Sequence, residues 1–251
     1  MTNPVSDAWL RQYHHVPHSP LTLVCFPHAG GSATFFHPVS AALQSVLQVV
    51  AVQYPGRQER HLERPLTSIT ELADGAFAAL RPMMDRPLAF FGHSMGATLA
   101  FEVAVRMQTE LALSPLMLFV SGRRAPSRHR NESIHRCADK GIIAELKALN
   151  GTDPHVFHDQ ELLRMILPAI RSDYTAAETY RWQDGPELHC PIVVLTGDDD
   201  PKVAPDEAQA WREHTTGPFE LHAFPGGHFY LTRHASRLIS LMSERLDALN
   251  S

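Results

Sequence analysis

Gly92-His93-Ser94-Met95-Gly96 sets a hydroxyl between two glycines, at the point where the apolar run 88–91 gives way to a helical pattern from residue 95. This is the G-x-S-x-G arrangement of a nucleophile elbow. A strand turning directly into a helix strains the serine backbone, and the residues two before and two after it must lack a Cβ to avoid a clash. A serine hydroxyl is a poor nucleophile without a base, and the base needs a group that fixes its tautomer. On such a scaffold the chain order is serine, then Asp or Glu, then histidine. Downstream, VVLTGDDDP carries Asp198, Asp199 and Asp200, and FPGGHFYL carries His228 in a Gly-rich loop. Asp200 lies three residues beyond Gly197 and directly before Pro201, far enough round the turn to face a neighbouring loop. It is the expected acid; Asp198 and Asp199 are the alternatives, better placed to cap or solvate the turn. His93 is expected to point away from Ser94, into the core or behind the site.

Serine acyl chemistry also requires two N–H groups aimed at the oxygen that becomes negative. Met95 N–H, at the positive end of the helix, is one. The second is expected from CFPHAGGSA, the loop after the first apolar run, and Ala29 N–H is the candidate. The competing readings of that loop are a plain Gly-rich turn and a dinucleotide site, and G-x-G-x-x-G is absent.

These groups need a frame that brings distant loops to one edge. Short apolar runs at 21–26, 47–53, 88–91, 116–120, 192–196 and 219–224 alternate with helical patterns near 34–44, 68–81, 95–109, 205–214 and 232–249. This alternation predicts βαβ units and a parallel sheet, whose strand ends carry the loops of Ser94, Asp200 and His228 to one side. The interval 123–190 breaks the rhythm, with no convincing strand and two helical patterns near 138–149 and 159–179; it is expected to be an all-helical insertion.

Length and composition fit one α/β domain over 1–251: 251 residues, 44% hydrophobic and 20% charged, with a net charge of −5. That balance gives no general reason to bind nucleic acid or an anionic membrane. The N-terminal residues show neither a targeting signal nor a membrane-spanning run, so a cytoplasmic protein is expected. Cys25, Cys137 and Cys190 form no C-x-x-C pair and the histidines show no metal-ligand spacing, so neither a disulfide framework nor a metal site is expected.

Taken together, CFPHAGGSA, YPGR at 54–57, FFGHSMGA, SGRRAP, LTGDDDP, AWREHT and FPGGHF resemble the type II thioesterases that accompany polyketide synthases and nonribosomal peptide synthetases. The resemblance runs from about residue 20 to the C-terminus with the motifs in order. It implies an α/β-hydrolase fold, a helical lid at 123–190, and Ser94, Asp200 and His228 as triad, with no cofactor. It also implies a substrate: stalled or wrongly primed acyl groups on the phosphopantetheine arm of an acyl- or peptidyl-carrier protein. A general carboxylesterase would share every one of these residues, and a noncatalytic binding protein of the same fold would usually have lost one.

Two further expectations concern the insertion. In QELLRMILPAIRSDY the apolar residues span more than one helical face, so one side is expected to pack on the body while Leu162, Met165 and Ile166 line an acyl chamber. Pro168 is expected to kink or end that helix. Between 123 and 136, Arg123, Arg124, Arg128, Arg130 and Arg136 face a single acid, Glu132. An exposed cationic connector there, with Arg123, Arg124, Arg128 and Arg130 foremost, is expected to dock an acidic carrier protein and its phosphate.

Overall fold

The computed structural model describes residues 8–248. The expectations for residues 1–7 and for the last residue of the 232–249 helix lie outside them. Seven strands form one sheet: β1 (Leu10–Arg11), β2 (Thr22–Phe26), β3 (Gln48–Val52), β4 (Leu88–His93), β5 (Leu118–Ser121), β6 (Ile192–Gly197) and β7 (Phe219–Phe224). Their order is β1-β3-β2-β4-β5-β6-β7, all parallel except β1, which pairs antiparallel with β3. β1, only two residues long, carries no alternation by which a sequence could show it.

From β2 to β6 the apolar runs are nearly continuous because the parallel sheet is covered on both faces there, whereas the edge strand β7 is mostly half-buried or exposed. Successive side chains divide between two cores. Val24, Phe26, Val50, Phe90, Val120 and Val194 face one cluster; Leu23, Cys25, Val49, Phe91, Phe119 and Leu195 face the other. Helices α1 (His37–Leu43), α2 (Ile69–Leu80) and α3 (Met95–Leu111) follow β2, β3 and β4 in turn. Ser68 caps α2 by accepting from Glu71 N–H at 3.5 Å. The helix expected at 34–44 begins as a 3-10 turn over Ala33–Phe36.

Between β5 and β6 lie α4 (Asp139–Leu149) and α5 (Gln160–Thr179), with their own small core of Ile142, Leu146, Leu163, Leu167, Ile170 and Tyr174. Asp159 caps α5 by accepting from the N–H groups of Glu161 and Leu162, both at 3.0 Å. Pro168 lies inside α5 and does not end it. After β6, α6 (Pro205–Gln209) gives way to a 3-10 turn over Ala210–His214. The expected C-terminal helix divides into α7 (Tyr230–Arg233) and α8 (Ala235–Asp247), the latter packing Leu238, Met242 and Leu246 into the second core. Among the described residues no helix is long and apolar enough to cross a membrane.

His214 is 5% exposed and sits edge-on to Phe101, Trp182 and Trp211, with Nε2 at 2.9 Å from the Ser127 hydroxyl. Burial pushes its pKa down to about 4. The unfolded chain therefore takes up this proton near pH 6.5 while the folded one refuses it, so stability is lost as pH falls from 6.5 towards 4, by up to about 1.4 kcal/mol per pH unit from this group. Urea unfolding at pH 7.5 and 5 is expected to show a smaller acid loss in His214→Gln than in the wild type. Equal losses would show that His214 is not held neutral.

Candidate active site

The elbow forms where β4 enters α3. Ser94 has φ 55° and ψ −120°, a conformation that a side-chain-bearing residue adopts only under constraint. Its N–H donates to the Ser121 carbonyl at 2.8 Å, which ties the strained residue to β5. A Cβ on Gly92 would stand 2.2 Å from the Gly96 carbonyl oxygen, and one on Gly96 would stand 2.0 Å from that of Phe26. Both glycines are therefore required by contact, and the second contact brings the end of β2 against the first turn of α3.

The structure brings Asp200 and His228 together. His228 Nδ1 lies 3.0 and 2.9 Å from the two carboxylate oxygens of Asp200, whose side chain is fully buried. Asp200 Oδ1 also accepts from Lys202 N–H at 2.8 Å, which fixes the carboxylate. Nε2 is the remaining ring nitrogen of His228, and His228 and Ser94 line one cavity. Asp198 serves the loops instead, its Oδ1 accepting from Gly226 N–H at 2.8 Å so that the acid loop is tied to the histidine loop. The approach is tight, since a Cβ on Gly197 would stand 2.3 Å from the Gly226 carbonyl oxygen. Asp199 is exposed.

Ala29 and Met95 line the same cavity, and neither backbone N–H has an acceptor within the described residues. Two free donors beside a strained serine form the arrangement that tetrahedral acyl chemistry uses. Behind them lie two histidines held neutral. Burial pushes His28 down to about 3, with His228 and Arg57 adding to the effect. Burial, then His228 and His28, holds His93 well below its ordinary value. His93 is fully buried, its Nδ1 3.0 Å from the Ser121 hydroxyl, which lies 2.7 Å from that of Tyr230. It packs behind His228 with ring centroids 5.0 Å apart, the core role the sequence assigns it.

The insertion meets the site differently from the sequence expectation. The cavity at Ser94, about 50 Å³, takes its insertion side from Leu146, Leu149, Thr152, Tyr174, Ala177 and Glu178. Leu162, Met165 and Ile166 do not line it; they face a separate cleft of about 250 Å³ beside Gly30, Arg57 and His61, where Met165 is 58% exposed. Apolar residues all round α5 left the choice of face open, and the face towards Ser94 is the one carrying Tyr174 and Ala177. The α4 pattern, with Leu146 and Leu149 one turn apart, was the overlooked signal.

The arginine run is likewise corrected. Arg124 is 4% exposed and ion-paired with Glu132, Arg130 with Glu207, and Arg128 with Glu213. Arg123 donates to the Ala177 carbonyl at 3.3 Å and lines the Ser94 cavity. These four do not form a free cationic patch, because carboxylates about 80 residues away in sequence fold back onto two of them.

Parallel sheet, elbow, acid–histidine pair and free amides define an α/β-hydrolase with a serine-centred site. Comparison with known proteins narrows this: the Thioesterase domain family matches residues 21–246, and the chain belongs to that family. It is 50% identical to a "Probable cadicidin biosynthesis thioesterase" of Streptomyces griseus over 97% of its own length, spanning only 64% of that protein. It is 46% identical to "Thioesterase PikA5" of Streptomyces venezuelae, covering 97% of this chain and 87% of that one. Among solved structures, the type II thioesterase BorB from the borrelidin biosynthetic cluster superposes with a TM-score of 0.90 at 55% identity, over 96% of this chain and 98% of BorB.

Two substitutions test the geometry. Asp200→Asn is expected to lower kcat by about 10³–10⁴ because the amide favours the wrong imidazole tautomer, whereas Asp199→Asn is expected to stay within about twofold. Comparable losses at both would move the acid elsewhere. Gly96→Ala, which drives a methyl into the Phe26 carbonyl, is expected to lower the melting temperature by several degrees and to abolish turnover. A variant with wild-type melting and turnover would contradict the elbow contact.

Proposed function

We propose that the protein hydrolyses acyl thioesters carried on the phosphopantetheine arm of acyl- or peptidyl-carrier proteins, with Ser94 as nucleophile, His228 as base, Asp200 as its orienting acid, and Ala29 and Met95 N–H as oxyanion donors. The observation that carries this reading is the convergence of Ser94, the Asp200-paired His228 and two unpartnered N–H groups on one cavity in a thioesterase-family chain. His228 Nε2 takes the Ser94 proton as Oγ adds to the thioester carbonyl carbon, and the two amides hold the oxyanion. Collapse breaks the C–S bond, and the proton on His228 passes to the departing thiolate. Water, deprotonated by the same ring, then adds to the Ser94 ester; collapse breaks the C–Oγ bond, His228 returns the proton to Ser94 Oγ, and the carboxylic acid leaves. The transient imidazolium lies beside His28 and His93, and these two rings, both held neutral, add no like charge of their own.

The surrounding surface offers one route for the arm. A cleft of about 370 Å³ between Asn150 at the end of α4 and the loop 226–229 shares Leu149, His228 and Phe229 with the Ser94 cavity. The cleft beside Met165 shares no residue with it. Arg233, exposed and without an ion pair among the described residues, lines the connected cleft and suits the phosphate of a pantetheine arm. In this arrangement the segment 123–190 covers the cavity as a lid.

The deciding experiment compares kcat/KM on an acyl-carrier protein, an acyl-coenzyme A, a short acyl thioester without phosphate and a nitrophenyl ester. Preference for the carrier is expected, with Arg233→Glu lowering the carrier and coenzyme A values at least fivefold in a salt-sensitive manner and the short thioester by less than about twofold. A preference for the nitrophenyl ester would indicate a general carboxylesterase, and no turnover of any substrate a binding protein. Equal effects of Arg233→Glu on all four would exclude the phosphate contact.

A further inference from the structure

We infer that Asp173, on α5 of the insertion, is a positioning residue of this reaction: it holds the turn that presents Ala29 N–H, so the oxyanion site is assembled by the insertion as well as by the sheet. The inference rests on the serine-centred reading above. Residues 28–31 form a tight turn in which Gly31 N–H donates to the His28 carbonyl at 2.9 Å and Gly30 has φ +76°. Ala29 and Gly30 are its two central residues, and a positive φ at the second is the mark of a type II turn. Type I and type II turns differ by a rotation of the central peptide, here the one joining Ala29 to Gly30. The structure fixes that rotation from outside the loop. Gly30 N–H donates to Asp173 Oδ2 at 2.7 Å. The other conformer would direct the Ala29 carbonyl oxygen at a carboxylate, so the charge of Asp173 selects one peptide orientation.

Asp173 is itself held. Arg57 forms a two-pronged contact with it, Nη1 to Oδ2 at 2.7 Å and Nη2 to Oδ1 at 2.8 Å, and Nη1 also donates to the Gly31 carbonyl at 3.0 Å. The turn is thus gripped at Gly30 by the carboxylate and at Gly31 by the guanidinium. Both side chains are withdrawn from water, Asp173 fully and Arg57 to 9% exposure, where charge-assisted contacts are strongest. Ile170, one turn before Asp173, seals the contact: its Cγ1 would lie 3.0 Å from a Cβ on Gly30. Of the two helices of the insertion, α5 is therefore bound to this turn at its middle, and any opening that lifts Asp173 breaks its bond to Gly30 N–H and frees the turn that carries Ala29. Substrate entry then has to come from α4 and its flanks if the site is to stay assembled.

The test separates positioning from simple stabilisation. The double variant Arg57→Met/Asp173→Leu removes the pair without leaving an unpaired buried charge. Its kcat is expected to fall at least tenfold with KM within about twofold, the pattern of an interaction made in the transition state. Affinity for an acyl trifluoromethyl ketone, whose Ser94 hemiketal places an oxyanion between the same two amides, is expected to fall in proportion. Affinity for a carrier protein bearing a non-hydrolysable acyl amide is expected to hold. Trifluoromethyl ketone affinity within about twofold of wild type, with only the melting temperature lowered, would overturn the inference. If the double variant does not fold, Asp173→Asn keeps the volume and one acceptor and is held to the same criteria. Amide exchange of Gly30 in the wild type needs no variant: protection of at least a hundredfold is expected, and free exchange would overturn the clamp. A wild type that turns over thioesters while the variants match it would refute the role of Asp173 alone. A wild type inert to thioesters and to the ketone would instead refute the serine reading and this inference with it.

Discussion

The contact between Gly96 and the Phe26 carbonyl governs the geometry of the site. A hydrogen in place of a side chain lets α3 start directly against the end of β2, where any Cβ would stand 2.0 Å from that carbonyl oxygen. The loop leaving β2 is thereby forced past the first turn of α3, and Ala29 comes to the cavity that Met95 lines from the start of the helix. The same closeness holds Ser94 at φ 55°, a strain of order 1–3 kcal/mol that persists only because the surrounding strands are fully packed. A strained serine, a helix N-terminus and a second donor are one geometric event.

The remaining parts are attached to that event by polar ties across loops. Asp198 fastens the histidine loop to the acid loop, Asp200 orients His228, and Lys202 N–H steadies Asp200. On the other side, Asp173 and Arg57 fasten the turn at residues 28–31 to the insertion. Lys202 carries the connection further through ion pairs with Glu132 and Glu145, both within the segment between β5 and β6. The segment between β5 and β6 is therefore bonded both to the loop of Asp200 and to the turn that carries Ala29.

The sequence discloses those features that are local or ordered along the chain. The elbow is legible because both glycines sit beside the serine, and the meeting of Asp200 with His228 because parallel strands deliver their loops to one edge in fixed order. Strands β2 to β6 are legible as nearly continuous apolar runs, since both faces of the sheet are covered there, and the half-buried edge strand β7 as an alternating one. What escapes detection is what only folding brings together. β1 is too short to show a pattern. The ion partners of Arg128 and Arg130, Glu213 and Glu207, lie far along the chain, so a neutralised run looks like a cationic patch. α5 is apolar on several faces, and nothing local reveals that Leu162 and Met165 look away from Ser94. Asp173 left a faint sign, a carboxylate next to the apolar spacing Leu163, Leu167, Ile170, Tyr174, whose partner YPGR arginine stands 116 residues earlier.

The central claim is that Ser94 carries the acyl group between the two halves of the reaction. Rapid quenching in acid after mixing enzyme with a stoichiometric acyl-carrier protein, followed by intact-protein and peptide mass measurement, observes this directly. An acyl mass increment on the peptide containing Ser94, appearing before the free acid and decaying as the acid forms, is the expected result. Free acid appearing at full rate with no modified Ser94 peptide under conditions where deacylation is slow, or an adduct on another residue, would contradict it.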